Sequence, residues 1–153
     1  MHDRVTPDGA RISGPDAEGF VTWQAGGEGY NAGFGPIRAR PEGESMARVR
    51  FETGPSRANP IGALHGGFLL ACLDQALFVG PVALGRLTIG KAVTLNVATQ
   101  FIGTGRIDRP LDAVVEISHE TGRLLFLRGQ MEQEGALVLA FQATLRKLAD
   151  RPG

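Results

Sequence analysis

The sequence predicts an α+β domain in which one long central helix is wrapped by a curved antiparallel sheet. Three observations lead there. Between Phe68 and Val79 only Asp74 and Gln75 are polar, so a helix here has no wet face and is expected to be buried on most sides. From Val93 onward the apolar period changes to two and holds through four long segments joined by short turns, the pattern of consecutive antiparallel strands. The chain has 153 residues, 42% of them apolar, which is enough for one core without disulfide or metal staples. One buried helix needs a sheet curled around it, and that requirement gives the layering.

Residues 1–32 are rich in Gly, Pro, Asp and Glu around one apolar island, Phe20-Val-Thr-Trp23. They read as a flexible or loosely packed extension with a short strand or turn docking Trp23, ahead of a domain spanning 33–148. The glycine-rich run from Gly26 to Gly35 has no strand before it and no helix after it, and its spacing matches neither the dinucleotide fingerprint nor the P-loop. It reads as a flexible connection. Phe34–Arg40 and Met46–Phe51 alternate as two strands about a hairpin turn at Pro41-Glu-Gly43-Glu. A loop from Gly54 to Leu64, punctuated by Asn59-Pro60 and Gly62, leads into the helix. That helix is predicted from about Gly66 to Val79 or a little beyond, because Gly80-Pro81 disfavours a smooth continuation. Residues 82–90 are a turn or loop. In the next strand Val93, Leu95, Val97, Thr99 and Phe101 share one face, and Thr94, Asn96, Ala98 and Gln100 the other. Pro110–Ser118, Arg123–Gln133 and Ala136–Arg146 complete a meander, with turns at Glu120-Thr-Gly122 and Glu134-Gly135. Arg146-Lys147, ahead of Pro152, reads as frayed surface.

Composition narrows the function classes. Sixteen basic and sixteen acidic residues cancel, which gives no support to nucleic-acid or acidic-membrane partners, since both require a positive excess. Arg57, Lys91, Arg123 and Arg128 could still meet an anion locally. The one cysteine, Cys72, precludes an internal disulfide and fits an intracellular, cytoplasmic setting. Its apolar neighbours make it a core residue rather than a nucleophile. The amino terminus lacks the apolar stretch of a secretory signal. His2, His65 and His119 have no zinc-ligand spacing. A membrane span competes for the segment Gly66 to Gly85, about the ~20 residues that a bilayer needs. An Asp at its centre would cost ~3 kcal/mol on insertion scales, and Pro81 and several glycines lie in the same window.

Asp74 is the residue that demands an account. A carboxylate inside an apolar helix either finds donors or shifts its pKa, so it is either a paired structural group or a functional one. A helix beginning at Gly66 offers free N–H groups to a negative charge. Asp74 lies eight residues on, or ~12 Å along the axis at 1.5 Å per residue. One helix therefore cannot bring its own start and its own Asp74 to one reacting atom. Two antiparallel copies can, each supplying one half of two equivalent sites.

The pattern Asn59, then His65-Gly66-Gly67 six residues on, then Asp74 nine residues after the histidine, resembles the hotdog-fold acyl-CoA thioesterases of the phenylacetate-pathway (PaaI-like) and thioesterase-superfamily-member-2 type. Lys91-Ala-Val-Thr94-Leu-Asn96, Gly122-Arg123 and Gly135-Ala-Leu-Val-Leu-Ala are similar to its later strands and turn, so the likeness covers roughly Arg48 to Lys147. The resemblance implies a homodimer or homotetramer that hydrolyses acyl-CoA to free acid and coenzyme A, with no cofactor and no metal. It implies that Gly66 supplies an oxyanion N–H, that Asn59 and His65 shape that pocket, and that the partner chain's Asp74 is base or nucleophile. Thr94 would position the water, and Gly67, Phe68, Phe101 and Arg123 would contact substrate. Two features depart from the pattern. Phe101-Ile-Gly103-Thr-Gly105 lacks the proline usual there, and residues 1–32 lie outside the common core. The alternative class is a non-catalytic acyl-CoA-binding module, though such regulators usually carry a helix-turn-helix, for which residues 1–32 are too glycine-rich. A hotdog dehydratase would pair its histidine and carboxylate in a different motif. The acyl group stays open.

Overall fold

A computed structural model of the chain describes residues 4–6 and 9–149. His2 and Pro152 lie outside the described residues. Nine strands form one antiparallel sheet: β1 (Arg4–Val5), β2 (Arg11–Ser13), β3 (Val21–Gln24), β4 (Ile37–Pro41), β5 (Met46–Phe51), β6 (Ala92–Phe101), β7 (Leu111–Glu120), β8 (Leu124–Gln133) and β9 (Ala136–Lys147). Their spatial order is β1-β2-β3-β4-β5-β7-β8-β9-β6. A single helix, α1 (Gly66–Ala83), packs on β4, β5 and β7.

The expected meander holds for β7, β8 and β9, but β6 does not pair with β7. It pairs with β9 and, among the described residues, leaves its other side free. The segment between β6 and β7 crosses from one sheet edge to β5, a long-range choice that local alternation does not encode. The short strand at Trp23 is present as β3, pairing Val21–Trp23 with Ala39–Ile37. The apolar island is anchored through Phe20, which is fully buried with the guanidinium groups of Arg38, Arg40 and Arg50 stacked 4.6–5.0 Å from its ring centre. Arg38 pairs with Asp16, and Arg40 donates to the Glu18 carbonyl at 2.8 Å. The run from Gly26 to Gly35 contains a 3-10 turn, Tyr30–Phe34, that seats Phe34 against Phe51 in the core. The strand expected to begin at Phe34 therefore begins at Ile37.

The helix runs one turn beyond the expected stop. Gly80 and Pro81 are both buried inside it. A Cβ at Gly80 would stand 3.1 Å from the Val115 Cβ, so the glycine is required by close approach to β7 rather than marking an end. The helix closes when the Leu84 and Arg86 N–H groups donate to the Gly80 and Pro81 carbonyls, followed by Gly85 at a left-handed φ of 68°.

Nor is the helix buried on most sides. Leu69, Cys72, Leu73, Ala76 and Leu77 face the core, while Gly67, Leu70 and Asp74 form an exposed stripe. By length and composition α1 alone, among the described residues, would suffice to cross a bilayer; here the sheet wraps it. Burial pushes the Cys72 thiol up, so it stays protonated.

The outer face of the sheet carries an ion-pair network. Asp112, 7% exposed, accepts from Arg50 Nε at 2.7 Å, Arg50 Nη2 at 2.9 Å and Arg48 Nη1 at 3.0 Å. Burial opposes its ionisation, but the hydrogen bonds and charge of Arg50 and Arg48 outweigh that and hold the carboxyl below its usual value. The folded pKa thus lies below the unfolded one. Its stabilisation is fully present above the unfolded value of about 3.9 and is lost as pH falls through the folded value. Asp112→Asn is expected to cost about 2 kcal/mol at neutral pH, by taking the carboxylate from Arg50, while Arg48 keeps Glu42 and Glu132. It should also flatten the acid limb of the stability curve; denaturant melts from about pH 2 to 7 measure both.

Candidate active site

The loop before α1 is folded by Asn59. Its Oδ1 accepts the N–H groups of Ile61 and Ala63, both at 3.0 Å, and its backbone N–H donates to the Ala63 carbonyl at 2.7 Å. The side chain acts as a turn former, and the Leu64 N–H is then held by the Gly105 carbonyl at 2.8 Å. This bracing fixes how His65 enters the helix.

His65 is the N-cap. Its backbone is extended, and its Nδ1 accepts the Gly67 N–H at 2.9 Å. Capping consumes the Gly67 N–H. The Gly66 N–H, one residue earlier, has no acceptor among the described residues and sits at the positive end of the helix dipole. Phe101 lies alongside it, since a Cβ at Gly66 would meet the Phe101 Cε1 at 3.6 Å.

Asp74 lies on the exposed stripe and makes no ion pair among the described residues. Its one described partner is Thr94, whose hydroxyl donates to Oδ1 at 3.3 Å. This contact corrects the strand-face assignment. A bulge between Thr94 and Asn96 puts an extra residue, Leu95, into β6 and reverses the parity beyond it. Thr94 pairs with Leu145, Val97 with Ala143, Thr99 with Phe141 and Phe101 with Leu139, and these partners are buried. Thr94 therefore shares the helix-facing side with Val97, Thr99 and Phe101. Without the bulge it would face away from Asp74.

The other expected contacts are distributed. Phe68 lies beneath Arg57, whose guanidinium carbon is 5.0 Å from the ring centre; both line a cleft of about 340 Å³ beside His65 and Gly67. Arg57 also donates to the Gly33 carbonyl. Arg123 is exposed in the β7–β8 turn, two strands from β6. Arg128 is held bidentately by Glu116 at 2.8 and 3.0 Å, so of the four candidate cations Arg57 is the one beside the helix start. Residues without a strong sequence signal also border the site. Gln75 and Phe78 lie next to Asp74 and one turn on, where helical periodicity from Asp74 would have found Phe78. Trp23 reaches the same region from β3 through pairing that no local pattern announces. Among the described residues, no three His, Cys, Asp or Glu side chains gather as a metal ligand set.

The helix start and the exposed Asp74–Thr94 pair thus border a sheet edge that displays Val93, Leu95, Val97 and Phe101 to solvent. Residues 54–146 match the family model described as the acyl-CoA thioesterase N-terminal domain. Among solved structures, the TT0310 protein of Thermus thermophilus is 26% identical, with 73% of this chain and 92% of that chain covered and a TM-score of 0.60. A hypothetical thioesterase of Streptococcus pneumoniae TIGR4, solved with coenzyme A, is 22% identical over 74% and 88% of the two chains, with a TM-score of 0.62. The PaaI protein of the E. coli phenylacetic acid degradation operon is 18% identical over 68% and 73%, with a TM-score of 0.60. The latter two show the common fold. No curated protein matches the chain. With more than half of its length inside the family model and a central helix clasped by a curved antiparallel sheet, the chain belongs to the acyl-CoA thioesterases of the hotdog fold.

Proposed function

We propose that the chain hydrolyses acyl-CoA thioesters to the free acid and coenzyme A, at sites each shared by two copies. The observation that carries this reading is the separation along α1 of a half-buried Gly66 N–H and an exposed Asp74 carboxylate that, among the described residues, have no acceptor and no ion pair respectively. Eight residues put them ~12 Å apart along the helix, too far to act on one carbonyl within a chain. The free edge of β6 gives the means to join them. It is ten residues long and displays apolar side chains, an edge that a monomer is poorly served to leave open. Pairing it antiparallel with a second copy across a two-fold axis sets the two helices head to tail.

In such a site the Gly66 N–H of one copy holds the thioester oxygen, and Asp74 of the other faces the carbonyl carbon. Asn59 and His65 shape the N–H side: the first fixes the loop, and the second takes up the Gly67 N–H and leaves that of Gly66 open. Thr94 donates to one Asp74 oxygen and leaves the other free. Asp74 then draws a proton from a water that its own free oxygen and the Thr94 hydroxyl hold. The hydroxide adds to the carbonyl, the oxyanion is held by the N–H, and the tetrahedral adduct expels the coenzyme A thiolate. A thiolate leaves without an acid because a thiol pKa near 8.5 makes it a good leaving group. Direct attack by Asp74, giving an anhydride that water then opens, uses the same groups. Phe68, Phe101 and Gly67 border the N–H side, and the Arg57 and Arg123 cations suit the anionic arm of the substrate. The test is release of free thiol across a panel of acyl-CoA esters. Turnover with at least one class is the expected result; a flat response, with binding retained, would leave an acyl-CoA-binding module.

A further inference from the structure

The second half of α1 borders a cleft to which the reaction above assigns nothing. Phe78 stands one helical turn beyond Asp74, Gln75 adjoins it, and Ala92 shares the helix-facing side of β6 with Thr94. Val82 continues this wall, and Trp23 closes the opposite one from β3. The cleft holds about 350 Å³, and among the described residues its lining includes no charged side chain; Asn31 and Gln75 are its polar members. It is the chemical opposite of the cleft at the helix start, where Arg57 stands over Phe68. A thioester has the same asymmetry, with one long anionic arm and one acyl arm.

We propose that this cleft takes the acyl group, and that the segment before residue 54 sets which acyl groups are accepted. The proposal rests on the hydrolase reading for the identity of the ligand. Trp23 and Asn31 lie outside the stretch that matches the family model, residues 54–146, so this wall is a property of the chain itself. An apolar cavity of about 150 Å³ accepts a benzene ring, and this one is more than twice that. The acyl group it suits is uncharged and apolar, up to roughly twelve carbons by that scale. An acyl group ending in a carboxylate finds no cation in the cleft's described lining.

Trp23 is the one tryptophan in the chain, so its emission reports on the cleft directly. The probes are non-hydrolysable alkyl-CoA thioethers of two to twelve carbons, a thioether ending in a carboxylate, and coenzyme A itself, each titrated into the wild-type protein. The apolar series should shift Trp23 emission saturably, with affinity rising about fourfold per methylene until the cleft is full. Coenzyme A and the carboxylate-ended probe should leave the emission unchanged. Val82→Phe, which fills the cleft, should lower the ratio of ten-carbon to two-carbon kcat/KM at least tenfold. Affinity that ignores chain length, or that rises while Trp23 emission stays fixed, overturns the proposal even if Val82→Phe fails to fold. Thiol release without a Trp23 response also overturns it and spares the hydrolase reading. A chain-length-dependent Trp23 response without thiol release upholds the cleft and sinks hydrolysis.

Discussion

Asp74→Asn is expected to lower kcat by about 10³-fold, within the range that removal of a general base or nucleophile costs. Asparagine keeps the shape of the side chain and can still accept from Thr94, but it can neither take a proton from water nor attack a thioester. The folded chain should hardly notice. Asp74 is exposed in the single chain, and its one described hydrogen bond is the 3.3 Å contact with Thr94, so stability should move by less than about 0.5 kcal/mol. Steady-state thiol release together with a thermal melt separates these effects. A variant that retains more than a tenth of wild-type kcat would remove Asp74 from the chemistry.

Gly66→Pro should be almost as damaging, lowering kcat by about 10²–10³-fold, the usual loss for one oxyanion donor. The substitution deletes a single N–H and little else. Gly66 is the first helical residue after the His65 cap, the position where proline is best tolerated. His65 already has the extended backbone, φ −67° and ψ 135°, that a following proline requires. A Cβ at residue 66 meets Phe101 at an ordinary 3.6 Å. Gly66→Ala adds that Cβ but keeps the N–H, so the excess loss of the proline variant over the alanine variant isolates the donor.

How much of this is legible without coordinates depends on the range of the interaction. The helix start and the lone acid can be read locally, because glycines, a capping histidine and one carboxylate in an apolar run are all signals within a few turns. The far end of α1 cannot. Pro81 is tolerated through burial against the sheet, and Gly80 is set by its approach to Val115, a residue 35 positions away in the chain. Simple alternation misplaces the face of Thr94 for a related reason. It assigns parity only while the strand is regular, and the bulge at Leu95 depends on how β6 lies against β9. The exposure of Asp74 escapes the sequence because composition cannot distinguish an apolar stripe destined for the monomer core from one left open at its edge. Trp23 stands out as part of an apolar island, but its place opposite Phe78 follows from the pairing of β3 with β2 and β4. Asn59 alone would pass for a turn former and the family pattern assigns it to the oxyanion pocket; within the single chain its Oδ1 makes two 3.0 Å hydrogen bonds inside the loop.

The central claim is that the N–H and the carboxylate of one reaction come from different chains. Chains carrying Asp74→Asn and Gly66→Pro, separately tagged and co-expressed, give mixed dimers in which one site holds both lesions and the other holds neither. Thiol release by the purified mixed dimer measures the claim directly. About half of wild-type kcat is expected, since one of the two symmetric sites is intact, against parents that are each nearly inactive. A mixed dimer no more active than its parents, or two chains that do not purify together, would contradict it.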